Sequence, residues 1–125
     1  MITFTIPGKA VGYYSHGKVP NWTRANEYTA YKVYVQIQAI YAGLKLPLFA
    51  DKDDPLRIDV TCYFKNGVHS DPENVRAGIV DALFYDKMRK VKGKGDKFAW
   101  GLHEAPRYDK LNPRVVVTVY EGSEK

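Results

Sequence analysis

Apolar and polar residues alternate along four short stretches of the chain, and this period of two predicts strands with one buried face. The stretch from Leu56 to Phe64 is the longest and clearest of them. Shorter alternations run from Ile2 to Ile6, from Phe98 to Leu102 and from Val115 to Val119. We expect the last two strands to pair as a hairpin across the loop from His103 to Asn112.

Two further segments carry apolar residues at helical spacing. The first predicted helix runs from about Asn26 to Ala42, because Asn26 can cap its start and Gly43 can end it. Its expected buried stripe is Ala30, Tyr34, Ile37, Tyr41 and Leu44. The second helix begins at Ser70-Asp71-Pro72-Glu73, where a capping side chain precedes a proline, and ends near Phe84. Its expected buried stripe is Val75, Ile79 and Leu83.

The predicted elements follow the order β, α, β, α, β, β within 125 residues, a length that fits one domain covering positions 1–125. This order predicts an α+β fold in which a single mixed β-sheet carries two helices packed on one face. The segment from Lys9 to Ala25 shows no clear period and is predicted to be a long loop. Loops of that length in small domains are often functional.

Composition narrows the class of protein. Hydrophobic residues make up 45% of the chain and charged residues 26%, which is typical of a soluble domain. No apolar run approaches the roughly 20 residues of a membrane-spanning helix, and the N-terminus lacks a signal-peptide pattern. Cys62 is the single cysteine and lies in an apolar strand, so we interpret it as a buried structural thiol. Together these features predict a cytoplasmic protein without a membrane partner.

The net charge of +5 favours an anionic partner. Much of this charge lies in one segment, which we call the basic segment. Six of the twelve residues from Asp86 to Lys97 are basic, namely Lys87, Arg89, Lys90, Lys92, Lys94 and Lys97. The basic segment is a candidate for contacts with a phosphate backbone. The alternative is a solvated loop, to which Gly93 and Gly95 would give freedom.

Acidic residues occur between the long second predicted strand and the second predicted helix. Asp71 and Glu73 lie two residues apart there, and Asp96 can join them from the segment before the next strand. Mg²⁺ is commonly bound by one or two carboxylates together with water and substrate phosphate, so these acids can hold a metal ion. At about 100° per residue, Glu73, Ala77 and Asp81 share a helix face opposite the apolar stripe. The alternative is that Asp71 only caps the helix and Glu73 only complements its dipole.

The motif from Asp71 to Val75, followed by Asp81 to Leu83, resembles the signature of the RusA family of Holliday junction resolvases. That signature has two acids flanking one residue, then Asn, an aliphatic residue, a lysine three residues after the Asn, and a later Asp-Ala-Leu. The opening segment from Ile2 to Gly8 is similar to the usual start of the family. Asp96, ahead of an aromatic strand, resembles the third metal-binding acid. The resemblance spans nearly the whole chain, and its middle motif is the specific part.

The resemblance implies a homodimeric endonuclease that uses Mg²⁺, or Mn²⁺ as an alternative ion, to nick branched DNA such as four-way junctions. Such enzymes serve DNA recombination and repair, and many are encoded by phages or prophages. By this match Asp71, Glu73 and Asp96 are the catalytic metal ligands, and Asp81 is a further candidate ligand. Arg76 and the basic segment are then the expected DNA contacts.

Two positions depart from the family pattern. Glu73 stands where the family usually has Asp, and its extra methylene moves the carboxylate. Ala77 stands where the family has its lysine. Arg76 is adjacent but lies about 100° away around the helix. A lysine of the basic segment, such as Lys94 or Lys97, is an alternative source of the missing charge.

Two other functions remain open from the residues alone. One is a non-catalytic, basic DNA-binding module whose acids only cap a helix, and the other is a structural or interaction protein with an incidental basic loop. Binding of a divalent metal ion, and its loss when acids become amides, separates the enzyme from both. His69, just before the acidic motif, is either a general base, a phosphate contact or an ordinary surface histidine.

Overall fold

The computed structural model of the protein describes residues 1–15, 19, 21–86, 91–92 and 95–121, and for residues 86, 91 and 92 it describes the backbone alone. Within these ranges the elements follow one another in a clear order. They are β1 (Ile2–Pro7), α1 (Trp22–Tyr41), β2 (Leu56–Phe64), α2 (Pro72–Phe84), β3 (Tyr85–Asp86), β4 (Val91–Lys92), a 3₁₀ turn (Asp96–Phe98), β5 (Ala99–Trp100), β6 (Arg107–Tyr108) and β7 (Arg114–Tyr120).

The main sheet is mixed, as predicted, and has the strand order β1-β7-β2-β5. β7 lies antiparallel between β1 and β2, while β5 and β6 pair in parallel with the two ends of β2. The predicted hairpin between the last strands is wrong. Because β1 and β2 occupy both edges of β7, β5 pairs with β2 instead. β3 and β4 form a separate antiparallel ribbon, and the basic segment begins at Asp86, the last residue of β3.

The core lies between one face of the sheet and the two helices. Alternate residues of β2 and β7, among them Ile58, Val60, Val117 and Val119, are almost fully buried. The residues between them face the other side of the sheet and are only partly buried. α1 packs on β1, α2 packs on β2, and the helices pack on each other. This arrangement confirms the α+β fold with both helices on one face. Cys62 is buried in the core, as predicted, and burial raises the pKa of its thiol to about 12.

Helix α1 begins earlier than its predicted start at Asn26. Asn21 is the N-cap, and its side-chain oxygen accepts a hydrogen bond from the Arg24 amide at 3.1 Å. The predicted stripe is also wrong, since Ile37 and Tyr41 are exposed. The buried face carries Tyr28, Tyr31, Val35, Gln36 and Ala39. Large apolar residues occur on both faces of this helix, so their spacing alone did not select the side that packs.

Helix α2 begins as predicted, with Asp71 as N-cap and Pro72 in the first turn, and its stripe of Val75, Ile79 and Leu83 is fully buried. The expectation that Asp81 lies on an exposed face is wrong, because only 9% of this residue is exposed. α1 covers this part of α2. Gly78 permits the close approach, since a Cβ at that position would lie 3.1 Å from the ring of Tyr28.

Candidate active site

The start of α2 presents two exposed carboxylates. Asp71 follows the loop after β2, and one of its oxygens, Oδ1, accepts a hydrogen bond from the Glu73 amide at 2.9 Å. This is the capping contact that satisfies an amide at the helix start. Capping uses one of the two oxygens of a carboxylate, so it is compatible with binding of a cation by the other. Both carboxylates are therefore exposed at the start of α2, and their convergence on one ion stays a prediction.

The first turn of α2 is fixed by the segment that follows β1. The Tyr13 amide donates to the Asn74 carbonyl at 3.0 Å, and the Asn74 side-chain amide donates to the Tyr13 carbonyl at 3.1 Å. This reciprocal pair ties the long loop before α1 to the helix start. Asn74 is a residue of the family motif, and a positioning role for it was not anticipated from the sequence. A reciprocal contact across 61 positions leaves no local signal in the sequence.

Asp96 opens the 3₁₀ turn, which packs against α2. The chain enters this turn through Gly95, whose φ of +98° and close approach to the Ala50 carbonyl leave no room for a Cβ. Among the described residues, no three His, Cys, Asp or Glu side chains are grouped closely enough to hold a metal ion. The 3₁₀ turn that begins at Asp96 therefore packs on α2, but the carboxylate of Asp96 does not form a group with those of Asp71 and Glu73. Its role as a metal ligand stays a prediction.

Asp81 lies in a different environment, between α1 and α2. The Tyr28 hydroxyl donates to its carboxylate at 2.6 Å, and Lys32 forms an ion pair with the same oxygen at 3.4 Å. Burial, and then the hydrogen bond to Asp81, raises the pKa of Tyr28 well above its ordinary value. Ten residues of helix separate Asp81 from Asp71, or about 15 Å along the axis. Asp81 is therefore held by α1, away from the carboxylates at the helix start.

Arg76 points from α2 toward β2. Its Nε donates to the Ile58 carbonyl at 3.0 Å, and its Nη2 is buried without a hydrogen-bond partner among the described residues. Burial lowers the pKa of this guanidinium, while the nearby Asp59 carboxylate opposes that shift. A DNA contact needs a guanidinium that reaches the surface, and this one is directed at the sheet. The DNA-binding role of Arg76 remains untested.

The basic segment is only partly covered by the structure. Lys87, Arg89, Lys90 and Lys94 lie outside the described residues, and Lys92 is described only as backbone of β4. Lys97 is exposed, and its ammonium lies 5.2 Å from the centre of the Phe98 ring. The predicted phosphate contacts of this segment remain predictions.

A cavity that the sequence analysis missed lies beside the start of α2. Its volume is about 290 Å³, and we call it the basic-rimmed cavity. It is lined by Lys9, Ala10, Tyr63, Phe64, Lys65, Asn66, Val68, His69 and Pro113. None of these residues is acidic, and Lys9 and Lys65 are exposed. The lining comes from three separate parts of the chain, so no local motif marks the cavity in the sequence.

His69 has a fixed place in this cavity. Its ring stacks on the Phe64 ring, with centres 3.7 Å apart and planes 5° from parallel. Nδ1 lies 2.7 Å from the Ser70 carbonyl oxygen and Nε2 lies 3.0 Å from the Tyr108 hydroxyl. Because a carbonyl only accepts, Nδ1 carries the proton, and in the neutral ring Nε2 accepts from Tyr108. Both ring nitrogens thus have hydrogen-bond partners, which hold the ring in this orientation.

No protein-family model matches the sequence, and no curated protein matches it significantly. The resemblance to the RusA family therefore depends on the motif residues themselves and stays a prediction. None of the helices in the described parts of the chain is both long and apolar enough to cross a membrane.

Proposed function

We propose that the protein is a metal-dependent endonuclease that cleaves branched DNA, with four-way junctions as its substrate, in the manner of the RusA family. The observation that carries the proposal is the pair of exposed carboxylates, Asp71 and Glu73, at the start of α2. They occupy the first two acidic positions of the family motif. A cavity with lysines on its rim lies next to them, which suits a substrate with a phosphate backbone.

Asp71 and Glu73 are the residues that would hold a magnesium ion. Mg²⁺ retains several waters and is usually held by one or two carboxylates together with substrate phosphate, which Asp71 and Glu73 can supply on an exposed surface. Asp96 is the proposed third ligand, and Mn²⁺ is the alternative ion. When bound, the metal would lower the pKa of a water molecule and offset charge on the scissile phosphate.

The chain's own groups have two tasks in this proposal. Asp71 and Glu73 would hold the metal ion, with Asp71 fixed by its capping contact and α2 fixed through Asn74. The cations on the cavity rim and in the basic segment hold the DNA backbone, and such contacts position the substrate without reading its sequence. Substrate choice then depends on the shape of the DNA.

The second candidate function is a non-catalytic DNA-binding module. The capping contact between Asp71 and the Glu73 amide favours it, since that contact gives Asp71 a structural role. The two functions differ in their need for a divalent ion. An enzyme cleaves only in its presence, whereas the module binds DNA equally well without it.

The deciding experiment uses synthetic four-way, flap and linear duplex DNA with the full-length protein. We expect symmetric nicking of the four-way junction in Mg²⁺, slower or no cleavage of linear duplex, and no cleavage in EDTA. Junction binding in EDTA without cleavage in Mg²⁺ or Mn²⁺ would favour the binding module. Absence of both binding and cleavage would leave an interaction protein.

We also propose that the protein acts in the cytoplasm as a homodimer, so that two active sites can nick opposite strands of a junction. The outer face of α1 supports this, because Val33, Ile37 and Ile40 are between 41% and 51% exposed on one helix. Apolar patches of this kind often mark contact surfaces. Light scattering measures the mass directly, and Ile37→Glu is expected to shift a dimer of 14.2 kDa chains toward monomer. A monomeric wild-type protein at micromolar concentration contradicts the proposal.

A further inference from the structure

The basic-rimmed cavity combines an apolar and aromatic lining with two exposed lysines. Its lining includes apolar and aromatic groups such as Ala10, Phe64 and Pro113. Its rim carries Lys9 and Lys65, and none of the described residues that line it is acidic. Cavities that bind small ligands are mostly apolar, with a few polar groups that fix orientation, and they begin near 300 Å³. This cavity, at about 290 Å³, is at the small end of that class.

From this combination we infer that the cavity binds one unpaired nucleotide, with its base inside and its phosphate on the lysine rim. The occupant follows from complementarity. A planar, apolar ring fits against the stacked His69 and Phe64, and an anion attached to that ring fits Lys9 and Lys65. Aromatic stacking is sequence-tolerant because every base has a flat face, so the cavity accepts any of the four bases.

The aromatic surface is already organised for such a ligand. Stacking on Phe64 and hydrogen bonds at both ring nitrogens hold the plane of His69 in one orientation. A side chain that is ordered before binding loses little conformational entropy when the ligand arrives. The oxygen of Asn66 accepts from the Val68 amide at 2.9 Å, which also fixes the direction of that polar group at the cavity.

The position of the cavity links it to the proposed active site. His69 and Asp71 are two residues apart, so their Cα atoms are at most about 7.6 Å from each other. A strand that places one base in the cavity therefore carries its neighbouring phosphate close to Asp71. This inference deepens the proposed function and rests on it, since base stacking is interrupted at a branch point and extruding a base there costs less unstacking energy. The cavity would then place the cleavage site relative to the branch.

The test measures binding of a short single-stranded oligonucleotide to the full chain in EDTA, so that no cleavage is involved. The probe is compared with the same oligonucleotide carrying one abasic position, and with deoxycytidine monophosphate and inorganic phosphate. We expect the intact strand to bind about tenfold more tightly than the abasic one, as loss of a single base stack predicts. Equal affinity for the two strands overturns the inference.

Free nucleotides and nucleotides within DNA share this chemistry, and the probes separate them. Tighter binding of the oligonucleotide than of deoxycytidine monophosphate supports a site for DNA. Tighter binding of the monophosphate overturns the assignment to a DNA strand. Inorganic phosphate tests the rim alone and is expected to bind at least tenfold more weakly than either.

The variants are chosen so that the fold is left intact. Val68 is 91% exposed at the cavity, so Val68→Glu adds an anion and Val68→Lys adds a cation with little effect on packing. We expect at least tenfold weaker binding for Val68→Glu and equal or tighter binding for Val68→Lys. Lys65→Ala should weaken binding, whereas the control Lys52→Ala should not. Lys52 precedes the start of β2, and the cavity lies about 30 Å away at the end of that strand. Equal binding by Val68→Glu and wild type overturns the inference.

These outcomes stand apart from those of the cleavage assay. Base-dependent binding in EDTA combined with no cleavage in any metal would retain the nucleotide site and reject the endonuclease. Metal-dependent junction cleavage with no preference for the intact strand would retain the endonuclease and reject the nucleotide site.

Discussion

Helix α2 carries aspartates near its two ends that have opposite surroundings. Asp71 caps the first turn on the exposed surface, beside Glu73 and the basic-rimmed cavity. Asp81 lies ten residues further on, buried against α1, where Tyr28 and Lys32 contact its carboxylate. The residue type is the same, so the difference in role comes from what the rest of the fold places next to each side chain.

This difference teaches how an acid in a motif should be interpreted. A buried carboxylate is stable only when hydrogen bonds and opposite charges compensate its desolvation, and Tyr28 and Lys32 provide both for Asp81. An exposed carboxylate such as Asp71 needs no such partner and remains accessible to a cation. We therefore expect substitutions of Asp71 to affect cleavage and substitutions of Asp81 to affect stability.

The largest expected effect is on cleavage by Asp71→Asn. Changes around a metal commonly cost 10–100-fold in activity, so loss of a direct ligand should slow junction cleavage by at least about 100-fold. Asn caps a helix about as well as Asp, so the free energy of unfolding should change by less than about 0.5 kcal/mol. Junction affinity should hold or rise, because a negative charge near the phosphates is removed.

The matched control for Asp71→Asn is Asp51→Asn. Asp51 also accepts backbone amides, those of Asp53 and Asp54, but it lies in the turn before β2. It should leave the cleavage rate unchanged. If Asp71→Asn cleaves at the wild-type rate, Asp71 only caps the helix. Asp71 and Asp81 would then both have structural roles.

The next effect is on stability, from Asp81→Ala. Removing the carboxylate leaves the buried Tyr28 hydroxyl without this acceptor and Lys32 without this counter-charge, which should cost about 2–3 kcal/mol of unfolding free energy. Asp81→Asn keeps an acceptor for Tyr28 and should cost less. Chemical denaturation measures both. Labelling of the buried Cys62 gives a second measure, since its thiol reacts only when the fold opens.

Cleavage by Asp81→Asn, measured well below its unfolding midpoint, completes this comparison. We expect a rate within about threefold of wild type, since the carboxylate lies about 15 Å along the helix from Asp71. Loss of cleavage in a folded Asp81→Asn protein would instead support its assignment as a metal ligand.

Sequence patterns predicted the parts of the molecule that local chemistry determines. The alternation from Leu56 to Phe64 and the Asp71-Pro72 helix start were both correct, because strand burial and helix capping act over a few residues. The position of β7 between β1 and β2 was not predicted, since pairing between distant strands leaves no short pattern. The burial of Asp81 was missed for the same reason, because it depends on Tyr28, 53 positions away.

In the candidate site, too, the residues that were predicted are neighbours in sequence, and those that were missed are brought together only by the fold. Asp71 and Glu73 are adjacent in sequence and were predicted together, whereas the basic-rimmed cavity joins Lys9, Lys65 and Pro113, which only the folded sheet brings together. The partners of Asp96 and of the basic segment likewise depend on long-range packing.

A smaller effect concerns the cations that would hold DNA near Asp71. Changing Lys90, Lys92 and Lys94 together to Ala should reduce the slope of log affinity against log salt by up to about 2.7, because each duplex phosphate that a lysine neutralises adds roughly 0.9 to that slope. Binding is measured in EDTA between about 50 and 200 mM salt. Lys52→Ala serves as the control. An unchanged slope would mean that the basic segment is solvated and does not touch the backbone.

The smallest effect is expected from Ala77→Lys, which adds the family's cation on the face of α2 between Asp71 and Asp81. Val75 and Ile79 face the core, whereas Ala77 is exposed. A longer side chain at position 77 therefore extends into solvent. Lysine is a good helix former, and the cost in unfolding free energy should stay within about 0.5 kcal/mol. Its ammonium lies one turn from Glu73, where it can stabilise charge that develops on the phosphate. We expect junction cleavage a few-fold faster at equal or tighter affinity, whereas Ala42→Lys, a matched change of an exposed alanine at the C-cap of α1, should do neither. If Ala77→Lys folds normally and cleaves more slowly, another cation already has this role, and the match to the family fails at this position.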